Sequence, residues 1–237
     1  MRSRALGAVA VAGQLAFVAA WIAGGLAQEG YSTATQTVSE LFSREADHPW
    51  ILWIGLAALV PSYLATATLL CRMLGPRARP AAAVFVLASA LVLIVLLSPL
   101  DCMTNGDPSC AAQVDAGAAS AINSRHNAAA VTLQLSLVAT PFLVAFALRG
   151  RQIDRRQIEG RVAGRVDREV GPRIAAWLVG IGLIGLATVA WVALSGPGSS
   201  DYGIAQRTTF GFVNVWVVLI AVTALSGFGS RGRVSKA

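Results

Sequence analysis

Apolar residues run along the chain in six blocks separated by short polar stretches: Ala5 to Ala27, Trp50 to Leu70, Pro80 to Leu100, Asn127 to Leu148, Ile174 to Leu194 and Thr208 to Phe228. Each holds about 20 residues or slightly more, enough at 1.5 Å per residue to cross a hydrocarbon core of ~30 Å. A segment surrounded by lipid must satisfy its backbone internally, so each block is predicted to be a helix. The expected fold is all-α: one integral membrane domain over residues 1–237, a bundle of six transmembrane helices at about 5–27, 50–70, 80–100, 127–148, 174–194 and 208–228.

Composition supports lipid as the main solvent. Of 237 residues 55% are hydrophobic and only 13% charged, half the charged share of a soluble domain. The first block follows Met-Arg-Ser-Arg and resembles a signal peptide. Its apolar run from Ala5 to Leu26 exceeds the core length of such peptides, which favours a retained helix over a cleaved one.

Charge gives the orientation. With the N-terminus inside, sixteen of the 19 Lys and Arg residues fall on the inner side, and only Arg44, Arg125 and Arg207 on the outer; eight of the 12 acids lie outside. The formal charge of +7 thus separates into +12 inside and −5 outside. The positive-inside rule predicts N-in and C-in, a multi-pass protein of the cell inner (plasma) membrane. The basic excess therefore reports topology, and nucleic acid is not an expected partner. The inner connection Arg149 to Arg173 alternates Arg with Asp and Glu, and reads as a frayed helix or a loop on the anionic leaflet.

Cys102 and Cys110 flank a turn-rich stretch on the outer side and are expected to form a disulfide, whereas Cys71 reads as a free buried thiol. Deep in the blocks lie Gln14, Thr66, Thr68, Gln134, Ser136, Thr140 and Asn214, with no carboxylate, His, Lys or Arg among them. That absence disfavours a proton-coupled transporter. Gln14, Gln134 and Asn214 are expected to join helices by hydrogen bonds, and Ala176, Gly180, Gly182 and Gly185 to allow close helix approach. Pro61 and Pro141 are expected to bend the second and fourth helices and open a cavity.

Ionisable residues gather at the outer helix ends. Asp101 closes the third helix, Arg125 and His126 open the fourth, and Arg207 opens the sixth. The first outer loop adds Tyr31, Ser32, Ser39, Glu40 and His48, and its Thr33-to-Gln36 and Thr37-to-Glu40 spacings predict a short extracytoplasmic helix on the bundle mouth. The candidate catalytic residues are His126 as acid or base tuned by Asp101 or Glu40, with Ser39 as a nucleophile should a base reach it. Arg207 would hold a phosphate or carboxylate, and Tyr31 of the loop is a further candidate binding residue. The competing reading is an ion-pair network of Asp101, Glu40 and Arg207 that ties the loop to the helix ends. His126, His48 and Asp101 lack metal-site spacing, so neither a metal nor a cofactor is expected.

Gly30-Tyr31-Ser32, Val38-Ser39-Glu40-Leu41, Pro99-Leu100-Asp101, His126 and Gly203-Ile204-Ala205-Gln206-Arg207, with Trp216 nine residues on, resemble the bacterial six-helix membrane proteins grouped as domain of unknown function 998. The resemblance covers nearly the whole chain in order and adds Trp216 to the candidate binding residues. Phe42 and Gln206 depart from the family's usual Gly and Glu, and the outer cysteine pair is a local addition. It implies the fold and the location of a site, not an activity.

Three functions follow as expectations: an enzyme or binding protein for a lipid or isoprenoid-type amphiphile; a non-catalytic membrane component whose outer network is structural; and a small-solute transporter. The sequence does not decide whether the chain is an enzyme or what protein, if any, partners it.

Overall fold

The computed structural model of the chain describes residues 3–158 and 165–230. Among them the order is α1 (Ser3–Ala27), a 3-10 helix (Val38–Phe42), α2 (Pro49–Leu74), a 3-10 turn (Gly75–Ala78), α3 (Arg79–Leu96), α4 (Pro108–Asp115), α5 (Ala121–Ile158), α6 (Arg165–Ser195) and α7 (Tyr202–Ser230). Five helical stretches are long and apolar enough to cross a membrane, and one of them, Pro49–Leu96, contains both α2 and α3. The chain is an all-helical, multi-pass membrane protein. Residues 28–48, 97–120 and 196–201 gather at one end of the bundle, called here the mouth.

Small residues set the tightest packing. A side chain on Gly13 would strike Ala58 O and Ser62, and one on Gly55 would meet Ala20 and Phe17, so α1 lies against α2 along its length. The same seam is hydrogen-bonded: Gln14 Nε2 donates to Ser62 Oγ at 2.8 Å, and Ser62 Oγ to Ala10 O at 2.7 Å. This is the interhelical role expected of Gln14. Helix α3 packs on α2 and α5, while α6 contacts mainly α5 and α7 and turns Trp177, Leu183 and Ile184 outward. On α6 it is Gly182 and Gly185 that receive neighbours, Phe142 for the first, and Phe212 and Val138 for the second; Gly180 faces open space.

Several boundaries differ from the sequence reading. Helix α3 stops at Leu96, so Asp101 lies in the following loop rather than at the helix end. Helix α5 starts six residues before Asn127, because Ser120 caps it by accepting the Asn123 N–H at 3.2 Å. Arg125, His126 and Arg207 accordingly sit inside helices. Residues 149–158 and 165–173 are helical, and residues 159–164 of that connection lie outside the described residues. Cys71 is free but exposed, not buried, since its position on α2 faces away from the other helices. Cys102 and Cys110 are joined, with their Cα atoms 6.0 Å apart.

Candidate functional site

The first loop is the centrepiece of the mouth. Its 3-10 helix is fixed by Glu40, whose buried carboxylate accepts the Thr37 N–H at 2.7 Å and the Asn105 N–H at 2.5 Å. The Thr37-to-Glu40 spacing is therefore used as predicted. Gln36, by contrast, accepts from Ser32 N rather than Thr33. Gln206 Oε1 accepts the Val38 N–H at 2.7 Å, and the Arg44 N–H donates to Leu100 O at 3.0 Å, so the loop is held by α7 and by the α3–α4 connection.

Arg207 grips the same loop. Its Nη1 faces the carbonyl oxygens of Thr33, Gln36 and Gly203 at 2.7–3.0 Å, its Nη2 donates to Tyr31 Oη, and its guanidinium stands 5.4 Å from the Tyr31 ring centre. Tyr31 Oη in turn donates to Thr37 O at 2.7 Å. Burial pushes the Tyr31 phenol up to about 12, with Arg207 working in the opposite direction. Gly203 lets α7 start here, because a Cβ would collide with the carbonyls of residues 33, 34 and 36. Arg207 and Tyr31 are thus a clamp on loop carbonyls, not a free anion grip, and the expected ion-pair network is a hydrogen-bonded one.

Asp101 and His126 share no hydrogen bond among the described residues. Asp101 accepts the Ser120 N–H at 2.8 Å and the Ser120 O–H at 2.7 Å, which hold its carboxyl below the ordinary carboxylate range despite partial burial, with Arg44 adding a smaller effect. It braces the start of α5. His126 instead contacts Ser98 O through Nδ1 at 2.6 Å and stacks on Phe42, and its Nε2 is buried with no partner among the described residues. Neither Asp101 nor Glu40 tunes it. Trp216 is core: its Nε1 donates to Thr140 Oγ1 at 2.8 Å, linking α7 to α5.

Two hollows meet at the mouth. A groove of about 530 Å³ is lined by Thr37, Asn105, Asn123, Asn127, Tyr202 and Gln206 toward the loops, and by Ala130, Val131 and Val192 further along. Inside the bundle lies a chamber of about 40 Å³, mostly apolar, whose lining also includes the polar residues Ser39, Tyr63, His126, Gln134 and Asn214. Leu59 and Tyr63, flanking Pro61, and Leu137, one turn before Pro141, also line it. Ser39, Ala130 and Gln134 border both hollows. Gln134 and Asn214 line cavities, and Asn214 Nδ2 has no partner among the described residues.

Of the candidate site residues only Ser39 and His126 border these hollows. Asn123, Asn127, Ala130, Val131 and Gln134 escape a reading of the sequence for chemistry, though their spacing of four, three, one and three residues marks a single face of a helix.

A family model described as "Protein of unknown function (DUF998)" matches residues 11–223. The chain belongs to the DUF998 family. Its match runs from α1 to α7 and so takes in both hollows and the clamp. Comparison with curated proteins and with solved structures returned no match.

Proposed function

We propose that the protein binds one amphiphile at the outer face of the plasma membrane, its polar end at the level of the mouth and its hydrocarbon along α5. The observation that carries this reading is the change of character down one face of α5. Asn123 and Asn127 give way to Ala130 and Val131 within a groove of about 530 Å³, inside the size range of ligand sites. From Asn123 to Gln134 the groove follows α5 for about 16 Å, half a bilayer core. The orientation completes the proposal. Reading α2 and α3 as separate spans makes six, and Arg4, Arg72, Arg77, Arg79, Arg149 and Arg173 then lie at the end opposite the mouth.

The test is native mass spectrometry of the purified protein. A lipid-sized adduct is expected on the wild type and lost from Ala130→Trp, which fills the groove; absence of any adduct on the wild type, or an unchanged adduct on the variant, refutes the reading.

A second reading, a non-catalytic component that docks another subunit, is favoured by the engagement of Arg207, Glu40 and Asp101 within the chain. It predicts a stoichiometric partner on co-purification and indifference of that partner to Ala130→Trp.

A further inference from the structure

We propose that His126 Nε2 is the hydrogen-bond acceptor for an uncharged hydroxyl on the ligand, so that the protein selects a lipid alcohol over a phospholipid. This rests on the amphiphile reading and specifies its ligand.

The tautomer follows from the partners. Ser98 O can only accept, so the hydrogen of an uncharged imidazole is on Nδ1, and Nε2 presents a lone pair. That atom is buried in a residue 1% exposed and has no partner among the described residues. A buried acceptor left unmade costs about 1–3 kcal/mol, so a donor is expected to meet it. Asn214, 7% exposed, leaves an unpartnered Nδ2 donor along the same chamber. One acceptor and one donor in an apolar lining suit neutral groups.

Charge and size exclude a phosphate. Among the described residues no Asp, Glu, Lys or Arg lines the chamber, and Arg207, next to Gln206 of the groove wall, is taken up with loop carbonyls. An anion there would be desolvated without a counter-charge. About 40 Å³ accepts a group the size of a water or a hydroxyl-bearing carbon, and Ser39, Ala130 and Gln134 line both it and the groove.

The protein has two histidines, so selective ¹⁵N-histidine labelling resolves His126 against His48 in nanodiscs of phosphatidylcholine. The probes are 1-dodecanol, methyl dodecyl ether, dodecane and dodecyl phosphate. Dodecanol is expected to shift the His126 Nε2 resonance upfield and leave His48 unchanged, and to bind about fivefold tighter than the ether, the worth of one hydrogen bond. His126→Phe should abolish that preference while still binding dodecane. Equal binding of alcohol and ether with no Nε2 shift overturns the hydroxyl assignment and leaves the amphiphile reading standing. Tightest binding of dodecyl phosphate also overturns it. If none of the four binds and Nε2 is hydrogen-bonded without them, water is the donor and both proposals fall. The resonance is read on the wild type, so the test stands even if the variant does not fold.

Discussion

Arg207 and Tyr31 hold each other across 176 residues of sequence: the guanidinium donates to the phenol oxygen, stands over the ring, and reaches past it to the carbonyls of Thr33 and Gln36. A planar fork is needed for this, since one nitrogen serves the carbonyls while the other serves the phenol. Arg207→Lys offers a single point charge and cannot span both. It is expected to cost about 2 kcal/mol, read as a fall of several degrees in thermal unfolding in detergent, and Arg207→Gln is expected to cost at least as much.

Tyr31 makes that clamp sensitive to alkali. An unfolded tyrosine ionises near pH 10, whereas the native phenol is pushed up to about 12 by burial. Its contribution to stability is therefore complete below pH 10 and disappears as pH rises toward 12. Tyr31→Phe should be less stable than wild type at pH 8. The gap between their unfolding temperatures should close between pH 10 and 12, and a constant gap across that window would show that the phenol does not titrate with unfolding.

Two glycines should behave oppositely. Gly203→Ala forces a methyl group into the carbonyls of residues 33, 34 and 36, so the variant should lose about 2 kcal/mol or more. Gly180 sits within α6 with nothing near its would-be Cβ. Gly180→Ala should be neutral or stabilising by up to about 1 kcal/mol. Paired thermal melts check both.

The Cys102–Cys110 bridge encloses Asn105, which donates its N–H to Glu40 and accepts the Gly198 N–H through Oδ1 at 2.9 Å. Opening a loop this short costs about 2–3 kcal/mol. Dithiothreitol, or Cys102→Ser with Cys110→Ser, should loosen the roof of the groove and raise amide hydrogen exchange at residues 103–107 and 196–199. Helical content by circular dichroism should stay the same, because the transmembrane helices do not depend on that bridge.

The spanning helices are legible in the sequence because lipid imposes a single demand on every position of a span, and a run of about 20 apolar residues meets that demand as a helix across the bilayer. Their ends are not. Asn123 to His126 look like a polar loop, yet Ser120 and Asp101 satisfy the first turn and draw them into α5. The gathering of charges at the mouth can be read from their positions, but their roles cannot. Arg207 finds backbone carbonyls, and a carbonyl has no letter in a sequence. The groove does leave a trace in the helical spacing of Asn123, Asn127, Ala130, Val131 and Gln134. It is hidden because Asn123 looks like a loop residue, Asn127 like the first residue of an apolar block, and the rest like ordinary positions of a span. His126 stands out for its chemistry, but its partner Ser98 offers only a main-chain oxygen.

The first loop is finished only by α7. Its Val38 N–H waits for Gln206, 168 residues later, and its Thr33 and Gln36 carbonyls wait for Arg207. At ribosomal speeds of about 5–20 residues per second, roughly ten to thirty seconds separate the synthesis of these partners. During that interval the Val38 N–H and the Thr33 and Gln36 carbonyls emerge without these partners. The mouth is thus the last part of the protein to close during biogenesis, and a nascent chain stopped before α7 would carry a set of inserted helices with an unassembled entrance.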